Sequence, residues 1–221
     1  MKQLPMHKKI EPFGKDIFII EMDKIGTEKK LPFYADGFPG IVYSKSVSPF
    51  YQQPKGKKLP NFYLYGQTVE PMTLVVNGAF KLIFIQLYPF VVRMMLGVEP
   101  KVLKDACYDL RLVENVDTQY TLEKLEQLED WDDIIEVLAD YFNELLRNAS
   151  FNPDYRIKLA INLILKANGA ISIKELRDKL YVTERTLERH FLKEIGVTAK
   201  QFAKIIQFHS AMKQMTETDY V

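Results

Sequence analysis

The chain has 221 residues, 47% of them hydrophobic, and its formal net charge is +1 at pH 7. This length allows one large or two ordinary domains, and this apolar content excludes a disordered chain. The single cysteine, Cys107, excludes an internal disulfide framework and predicts a reducing, cytoplasmic location. The most apolar run, residues 82–92, is shorter than the roughly 20 residues of a membrane helix, and we expect no signal peptide.

The charges are distributed unevenly along the chain. Residues 1–60 carry eleven Lys/Arg against six Asp/Glu, residues 101–147 five against thirteen, and residues 169–215 nine against five. A basic C-terminal block after an acidic middle is typical of a nucleic-acid-binding module beside a neutral domain. Ordinary solvated helices show the same range of charge, so this pattern leaves both interpretations open.

The residue pattern of about the first hundred positions predicts β structure. Three segments are rich in β-branched and aromatic residues and are bounded by Gly, Pro or Asp: residues 16–22, 40–46 and 61–67. Asn77-Gly78, between the two apolar runs of residues 73–87, predicts a β-hairpin. Short strands at this spacing favour a small barrel or sandwich. Residues 90–98 then predict a short helix closed by Gly97.

The pattern changes to helices in the middle of the chain. Apolar residues recur at helical spacing through residues 122–146. We expect a helix to begin near Trp131, because the carboxylates around it suit the positive end of a helix dipole. Residues 148–153 are the expected loop and domain boundary, and Asn152 is the expected N-cap of a helix over residues 153–168.

The C-terminal residues predict three helices. Side-chain caps start them: Ser172 with Glu175, Thr183, and Thr198 with Gln201. Apolar residues give each helix one buried face: Ile173, Leu176 and Leu180, then Leu187, Phe191 and Ile195, then Phe202, Ile205, Ile206 and Phe208. A turn around residues 181–182 joins the first two helices, and Gly196 ends the second. Two short helices joined by such a turn form a helix-turn-helix.

The second of these helices has three charged residues near its start. Because the apolar residues face inward, Arg185, Glu188 and Arg189 are expected on the outer face, at the end that enters the major groove in this motif. Arginine can donate two hydrogen bonds to guanine, and glutamate can accept one from cytosine. The helix starts supply candidate phosphate anchors: Thr183, Thr186, Ser172 and Lys174. In the alternative, this is an ordinary solvated face on which Arg185 pairs with Glu188.

Residues 171–212 resemble the first helix-turn-helix of the AraC/XylS family of transcription regulators. The matching residues are Thr183, Leu187, Arg189 and Phe191 in the core motif, Lys193, Glu194 and Gly196 after it, and Phe202 in the next helix. Tyr181 departs from the family's pattern, which usually has glycine in this turn. The resemblance implies that Arg185, Glu188 and Arg189 are the residues that face the bases.

The same resemblance implies the organisation of the whole chain, with an α+β fold. Residues 1–115 are expected to form a cupin-like β-barrel that senses a small molecule or mediates dimerisation, and residues 116–150 a helical linker or dimer helices. Residues 151–221 are expected to form the first helix-turn-helix, and the family's second unit would then be missing through truncation. The implied partners are double-stranded DNA, RNA polymerase, a small-molecule effector and a second copy of the chain, with no membrane.

The strand region contains candidates for an effector pocket but none for catalysis. Its aromatic residues either line a pocket or fill the core, and the pocket candidates are Tyr43, Phe62, Tyr63 and Tyr65. None of the three histidines falls in the strand region, so we expect no metal site, no cofactor and no enzymatic activity. Asp105 and Asp109 as an acid–base pair are a weak alternative.

The sequence therefore favours an AraC-type regulator that binds specific DNA sequences. The alternative is a receptor for a small molecule or a protein, in which the helix-turn-helix serves only as an interaction scaffold. These two functions differ in whether the outer face of the second short helix contacts DNA.

Overall fold

The computed structural model describes residues 1–23, 26–147 and 152–218. The strands within these ranges are β1 Lys2–Leu4, β2 Gly14–Met22, β3 Glu28–Phe33, β4 Gly40–Ser46, β5 Tyr51–Gln53, β6 Lys57–Lys58, β7 Phe62–Tyr65, β8 Met72–Asn77, β9 Phe80–Leu87 and β10 Cys107–Asp109. The α-helices are α1 Val91–Leu96, α2 Thr118–Gln127, α3 Trp131–Arg147, α4 Tyr155–Lys166, α5 Ile173–Leu180, α6 Glu184–Glu194 and α7 Ala199–Thr218.

The strands form two antiparallel sheets. One has the order β1-β2-β9-β4-β7-β10 and the other β3-β8-β5-β6. The three predicted strand segments are confirmed as β2, β4 and β7. Strand β7 shows why the sheets pack face to face: Phe62 and Leu64 point to the helices, while Tyr63 and Tyr65 point to the second sheet.

The mixed α/β fold is confirmed, but the cupin-like barrel is not. Among the strands that the structure describes, two separate sheets enclose an apolar layer, and no closed barrel is found. Phe50 and Phe80 pack edge to face in this layer, with ring centroids 5.3 Å apart, and Phe33 packs on Phe84. This arrangement agrees with the sandwich alternative.

The predicted hairpin at Asn77-Gly78 is wrong. Strand β8 pairs with β3 and β5, whereas β9 pairs with β2 and β4 in the other sheet. Gly78 has the positive φ of 87° that favours glycine, so a tight turn does occur there. The turn carries the chain from one sheet to the other, because Val76 and Phe80 on its two sides both enter the layer between the sheets.

The helical predictions are largely confirmed. Helix α1 ends at Gly97, which has φ 66°, and α3 begins at Trp131 as its acidic first turn predicts. The predicted cap of α4 is wrong, because Asp154, and not Asn152, accepts the hydrogen bond from the backbone N–H of Arg156. The rest of the predicted boundary loop, residues 148–151, lies outside the described residues.

One apolar core joins the six-stranded sheet to the helices. The inner face of α3 carries Ile134, Leu138 and Phe142, each no more than 1% exposed, and the same cluster continues to Phe191 and Phe202. The outer face of α3 is charged. The apolar stripe that the sequence offered for dimerisation is therefore largely used to cover the sheet. No helix in the described ranges is long and apolar enough to cross a membrane.

We expect Phe142→Ala to lower the free energy of unfolding by about 3–5 kcal/mol, because it removes a fully buried ring from the shared core. The measurement is urea unfolding, followed by the fluorescence of Trp131 and by far-UV circular dichroism. Since one core serves sheet and helices, both signals should shift together. Tyr155→Ala, at a side chain 69% exposed, should change stability by less than about 0.5 kcal/mol. Two separate transitions would contradict the shared core.

Candidate nucleic-acid interface

Helices α5 and α6 form the predicted helix-turn-helix. Ser172 Oγ accepts a hydrogen bond from the backbone N–H of Glu175 at 3.0 Å, which caps the start of α5. Leu176 and Leu180 are buried beneath this helix. The position of α5 is therefore set by one cap and one apolar face, as the sequence predicted.

The turn between the helices has a left-handed backbone conformation, which favours glycine, but the residue in that conformation is Tyr181. Tyr181 has φ 54° and ψ 44°, in the left-handed region, and its backbone N–H donates to the carbonyl of Arg177. The side chain is 95% exposed. The departure from the family's pattern therefore leaves the turn intact, at the cost of a conformation that residues with a Cβ atom disfavour.

Helix α6 is held by its cap and its inner face. The backbone N–H of Thr186 donates to Thr183 Oγ1 at 3.2 Å. Leu187, Phe191 and Ile195 are each no more than 3% exposed, and the Phe191 and Phe202 rings are 6.2 Å apart. With this face buried, the rotation of α6 about its own axis is determined.

The outer face of α6 presents the three predicted base readers. Arg185, Glu188 and Arg189 are all exposed. Within the described part of the chain, none of them has an ion pair or a hydrogen bond to another side chain. The alternative in which Arg185 pairs with Glu188 is therefore not what the structure contains. All three side chains are available to an external partner.

The candidate phosphate anchors lie at the starts of the same helices. Ser172, Lys174 and Thr183 are exposed, and Thr186 is half-buried. Ser172 Oγ accepts its capping bond, so its hydrogen remains for another acceptor, whereas Thr183 Oγ1 donates to Thr186 Oγ1 at 3.0 Å. Ser172 and Lys174 are therefore the better placed donors to a phosphate.

A buried ion pair attaches α6 to the N-terminal part of the chain. Arg93 of α1 donates to Glu194 at the end of α6, and their side chains are only 16% and 7% exposed. Burial raises the pKa of the Glu194 carboxyl, and its second oxygen has no hydrogen-bond partner among the described residues. Next to it, Gly196 has φ 89°, and a Cβ there would lie 2.8 Å from the backbone of Pro100 and Lys101.

This attachment gives two motif residues a role that sequence reasoning missed. Glu194 and Gly196 belong to the family-like motif, but the residues they contact lie about a hundred positions earlier in the chain. Only the fold brings Arg93 and Pro100 to the end of α6. The spacing of charges in α1 contains no signal that identifies this partner.

A second contact between the two parts lies beside Asp36, at Gly37. Its carboxylate accepts a hydrogen bond from the backbone N–H of Phe38 at 2.8 Å and another from the Gln86 amide. Burial is the main cause that raises the pKa of Asp36 to about 7. The adjacent Gly37 packs on α7, where a Cβ would lie 2.7 Å from Ile206. A lone aspartate in a loop has no sequence pattern, so this group was not predicted.

The four aromatic pocket candidates are divided between two faces of the sheet. Tyr63 and Tyr65 line a small apolar cavity between the sheets, whereas Tyr43 and Phe62 face the helices. The cavity has a volume of about 10 Å³, which holds no more than about one water molecule. Cys107 also lines it, and burial raises the pKa of this thiol to about 11. In this structure the aromatic residues fill the core.

The remaining titratable candidates have structural partners. Asp105 accepts hydrogen bonds from the backbone N–H groups of Val69 and Glu70, at 2.8 and 3.1 Å. Asp109 caps a short 3₁₀ helix and forms an ion pair with Arg111. The described residues contain no group of three or more side chains that could hold a metal ion. Neither aspartate is placed for acid–base chemistry with the other.

Comparisons with known proteins give a family model that matches part of the chain and several similar solved structures. The family described as "Domain of unknown function (DUF6597)" matches residues 2–109. No curated protein matches the sequence. The crystal structure of an apo ToxT variant from Vibrio cholerae strain SCE256 is similar, with 10% identity and a TM-score of 0.49, over 90% of this chain and 82% of that one.

ToxT from the same strain, bound to an unsaturated fatty acid, is similar with 12% identity and a TM-score of 0.49, over 91% of this chain and 80% of that one. These TM-scores lie below 0.5, so the similarity assigns no function to this chain.

We expect Arg93→Ala to destabilise the fold by about 3–5 kcal/mol, because it leaves the buried Glu194 carboxylate without its cation. Urea unfolding at neutral pH measures the loss. The pKa of Glu194 is already raised, so lowering the pH favours the neutral carboxyl and should shrink the loss. Lys101→Ala, which breaks an exposed pair with Glu99, should cost less than about 1 kcal/mol. Equal losses in both variants would contradict the prediction.

We expect Asp36→Asn to stabilise the protein above neutral pH. The pKa of Asp36 is about 7 in the folded chain, above its ordinary value of 3.8. Folding therefore favours the protonated carboxyl. The stability that this form contributes is complete below pH 3.8 and is lost as the pH rises through 7. Because the stability is lost at about 1.4 kcal/mol per pH unit between these two values, the variant should gain about 2–3 kcal/mol more at about pH 8 than at about pH 5. Glu70→Gln, at an exposed carboxylate, is the control. The same gain at both pH values would contradict this assignment.

Proposed function

We propose that the chain is a transcription regulator of the AraC type, which binds specific DNA sequences through α6. The observation that carries this proposal is the outer face of α6, where Arg185, Glu188 and Arg189 are exposed and unpaired among the described residues. The inner face of the same helix is fully buried. A helix fixed in rotation, with unpaired hydrogen-bonding side chains near its start, has the features of a recognition helix.

In the proposed mechanism, α6 enters the major groove with its N-terminal end. Arg185 and Arg189 donate to guanine, and Glu188 accepts from cytosine. Ser172 and Lys174 contact the phosphates at the start of α5, where the positive end of the helix dipole favours an anion. Glu184 and Glu188 repel phosphates, so binding depends on the fit to the bases more than on charge.

The N-terminal part of the chain is proposed to sense a ligand or to mediate dimerisation. The cavity between the sheets has a volume of about 10 Å³, which is too small for an effector. A ligand that binds there would have to separate the two sheets. Dimerisation needs no such opening, and two copies would present two recognition helices to spaced half-sites. RNA polymerase and the effector remain part of the proposal through the family resemblance alone.

The alternative function is a receptor that uses the helix-turn-helix as a scaffold. The firm attachment of α6 through Arg93 and Gly196 favours it, since a module used only for interaction needs no independent motion. The two functions differ in a single property, sequence-specific DNA binding. Selection from a pool of randomised duplexes by the full chain, followed by sequencing, decides between them. An enriched motif supports the regulator, and no enrichment supports the receptor.

We expect Arg189→Ala to weaken binding to the enriched duplex by about 1–3 kcal/mol and to relax the preference at one base position, because a bidentate contact to guanine is lost. Binding to duplexes that vary at each position measures this effect. Lys58→Ala removes an equal charge from an exposed site in the second sheet and is the matched control. Equal losses on every sequence would make Arg189 a phosphate contact.

A further inference from the structure

Within the helix-turn-helix, Tyr181 is the one residue other than glycine with a positive φ, a conformation that residues with a Cβ atom disfavour. Its backbone is left-handed, with φ 54°, and its ring is 95% exposed. In the described part of the chain, its hydroxyl has no hydrogen bond and its ring has no aromatic or cationic partner. Folding therefore gains little from a tyrosine there, and glycine would adopt the turn without strain. A strained, exposed side chain of this kind points to a function.

The side chain of Tyr181 lies in an open cleft. It lines this cleft along the outer side of α5, together with Ser172, Lys174, Glu175, Asp178 and Lys179. Lys179 pairs with Glu175 at 2.8 Å, and Asp178 is exposed. The cleft therefore has no large net charge. In such a cleft the phenol O–H of Tyr181 can donate a hydrogen bond to an anion although it carries no positive charge.

The cleft connects the two ends of the proposed DNA contact. Ser172 and Lys174 lie at the start of α5, and Thr183 caps α6 two residues after Tyr181. Helix α5 has eight residues and is therefore about 12 Å long. A DNA strand that contacts the start of α5 and the start of α6 runs along this cleft and passes Tyr181.

We propose that the Tyr181 hydroxyl donates a hydrogen bond to a backbone phosphate of the DNA that α6 reads, and so positions α6 in the groove. Phosphate contacts fix the register of a protein on the duplex and carry no sequence information of their own. The inference rests on the proposed function. Tyr181 would be a positioning residue, while Arg185, Glu188 and Arg189 read the bases.

The test uses the full chain and three variants. Tyr181→Phe keeps the ring and the backbone strain but removes the hydroxyl, and Tyr181→Gly removes the strain as well. Tyr155→Phe changes another exposed tyrosine, on α4, and is the control. Fluorescence anisotropy measures binding to the enriched duplex and to an unrelated duplex over a range of salt concentrations, and thermal unfolding measures stability.

The expected result is a loss of about tenfold in affinity for both duplexes with Tyr181→Phe, as for a hydrogen bond to a charged group. Its unfolding temperature and its salt dependence should stay unchanged, because no ion is displaced by a neutral donor. Tyr181→Gly should lose the same affinity and unfold at an equal or higher temperature. Tyr155→Phe should bind as the unaltered chain does.

Each other outcome overturns a different statement. If the unaltered chain binds DNA and Tyr181→Phe binds equally well, the inference fails and the proposed function survives. If Tyr181→Phe loses affinity for the enriched duplex alone, Tyr181 reads a base and is not a positioning residue. If the unaltered chain binds neither duplex, the proposed function fails and the inference with it. Should Tyr181→Gly unfold early, Tyr181→Phe decides by itself.

Discussion

The structure depends on one apolar core shared by the six-stranded sheet and the helices. A sheet of this kind needs its second face covered, and α3 covers it with a stripe that includes Ile134, Leu138 and Phe142. The core then continues into the C-terminal helices through Phe191 and Phe202. Helix α6 is therefore part of the same packed unit as the sheet. Any change that repacks the sheet alters the support of α6.

One buried ion pair and one apolar contact attach the C-terminal helices to the N-terminal part of the chain. The Arg93–Glu194 pair attaches the end of α6, and the loop at Asp36 and Gly37 packs against α7. Apolar packing tolerates small displacements, whereas a buried ion pair loses its compensation as soon as its partners separate. The start of α6, with the proposed base readers, is left exposed, while the end of α6 is held. The N-terminal part of the chain therefore helps to set the position of α6.

Local features were predictable wherever the physical cause is local. Neighbouring residues determine four of these features: the caps at Ser172 and Thr183, the start of α3 and the end of α1 at Gly97. The hairpin at Asn77-Gly78 failed because the turn residues determine only that the chain reverses. Which sheet each strand joins is decided by partners far along the chain. Phe208, placed on a buried face by spacing, is 52% exposed because α7 extends beyond the core.

In the candidate site, too, the features with a local cause were predictable and the others were not. The outer position of Arg185, Glu188 and Arg189 follows from the apolar spacing of one helix, and the structure agrees with it. The pocket candidates were chosen by residue type, and alternation along β7 sends Tyr63 and Phe62 to opposite faces. The conformation of Tyr181 lay between these cases. Its position in the turn was evident, but its near-complete exposure is a property of the folded surface, and that exposure is what makes a contact with DNA physically accessible.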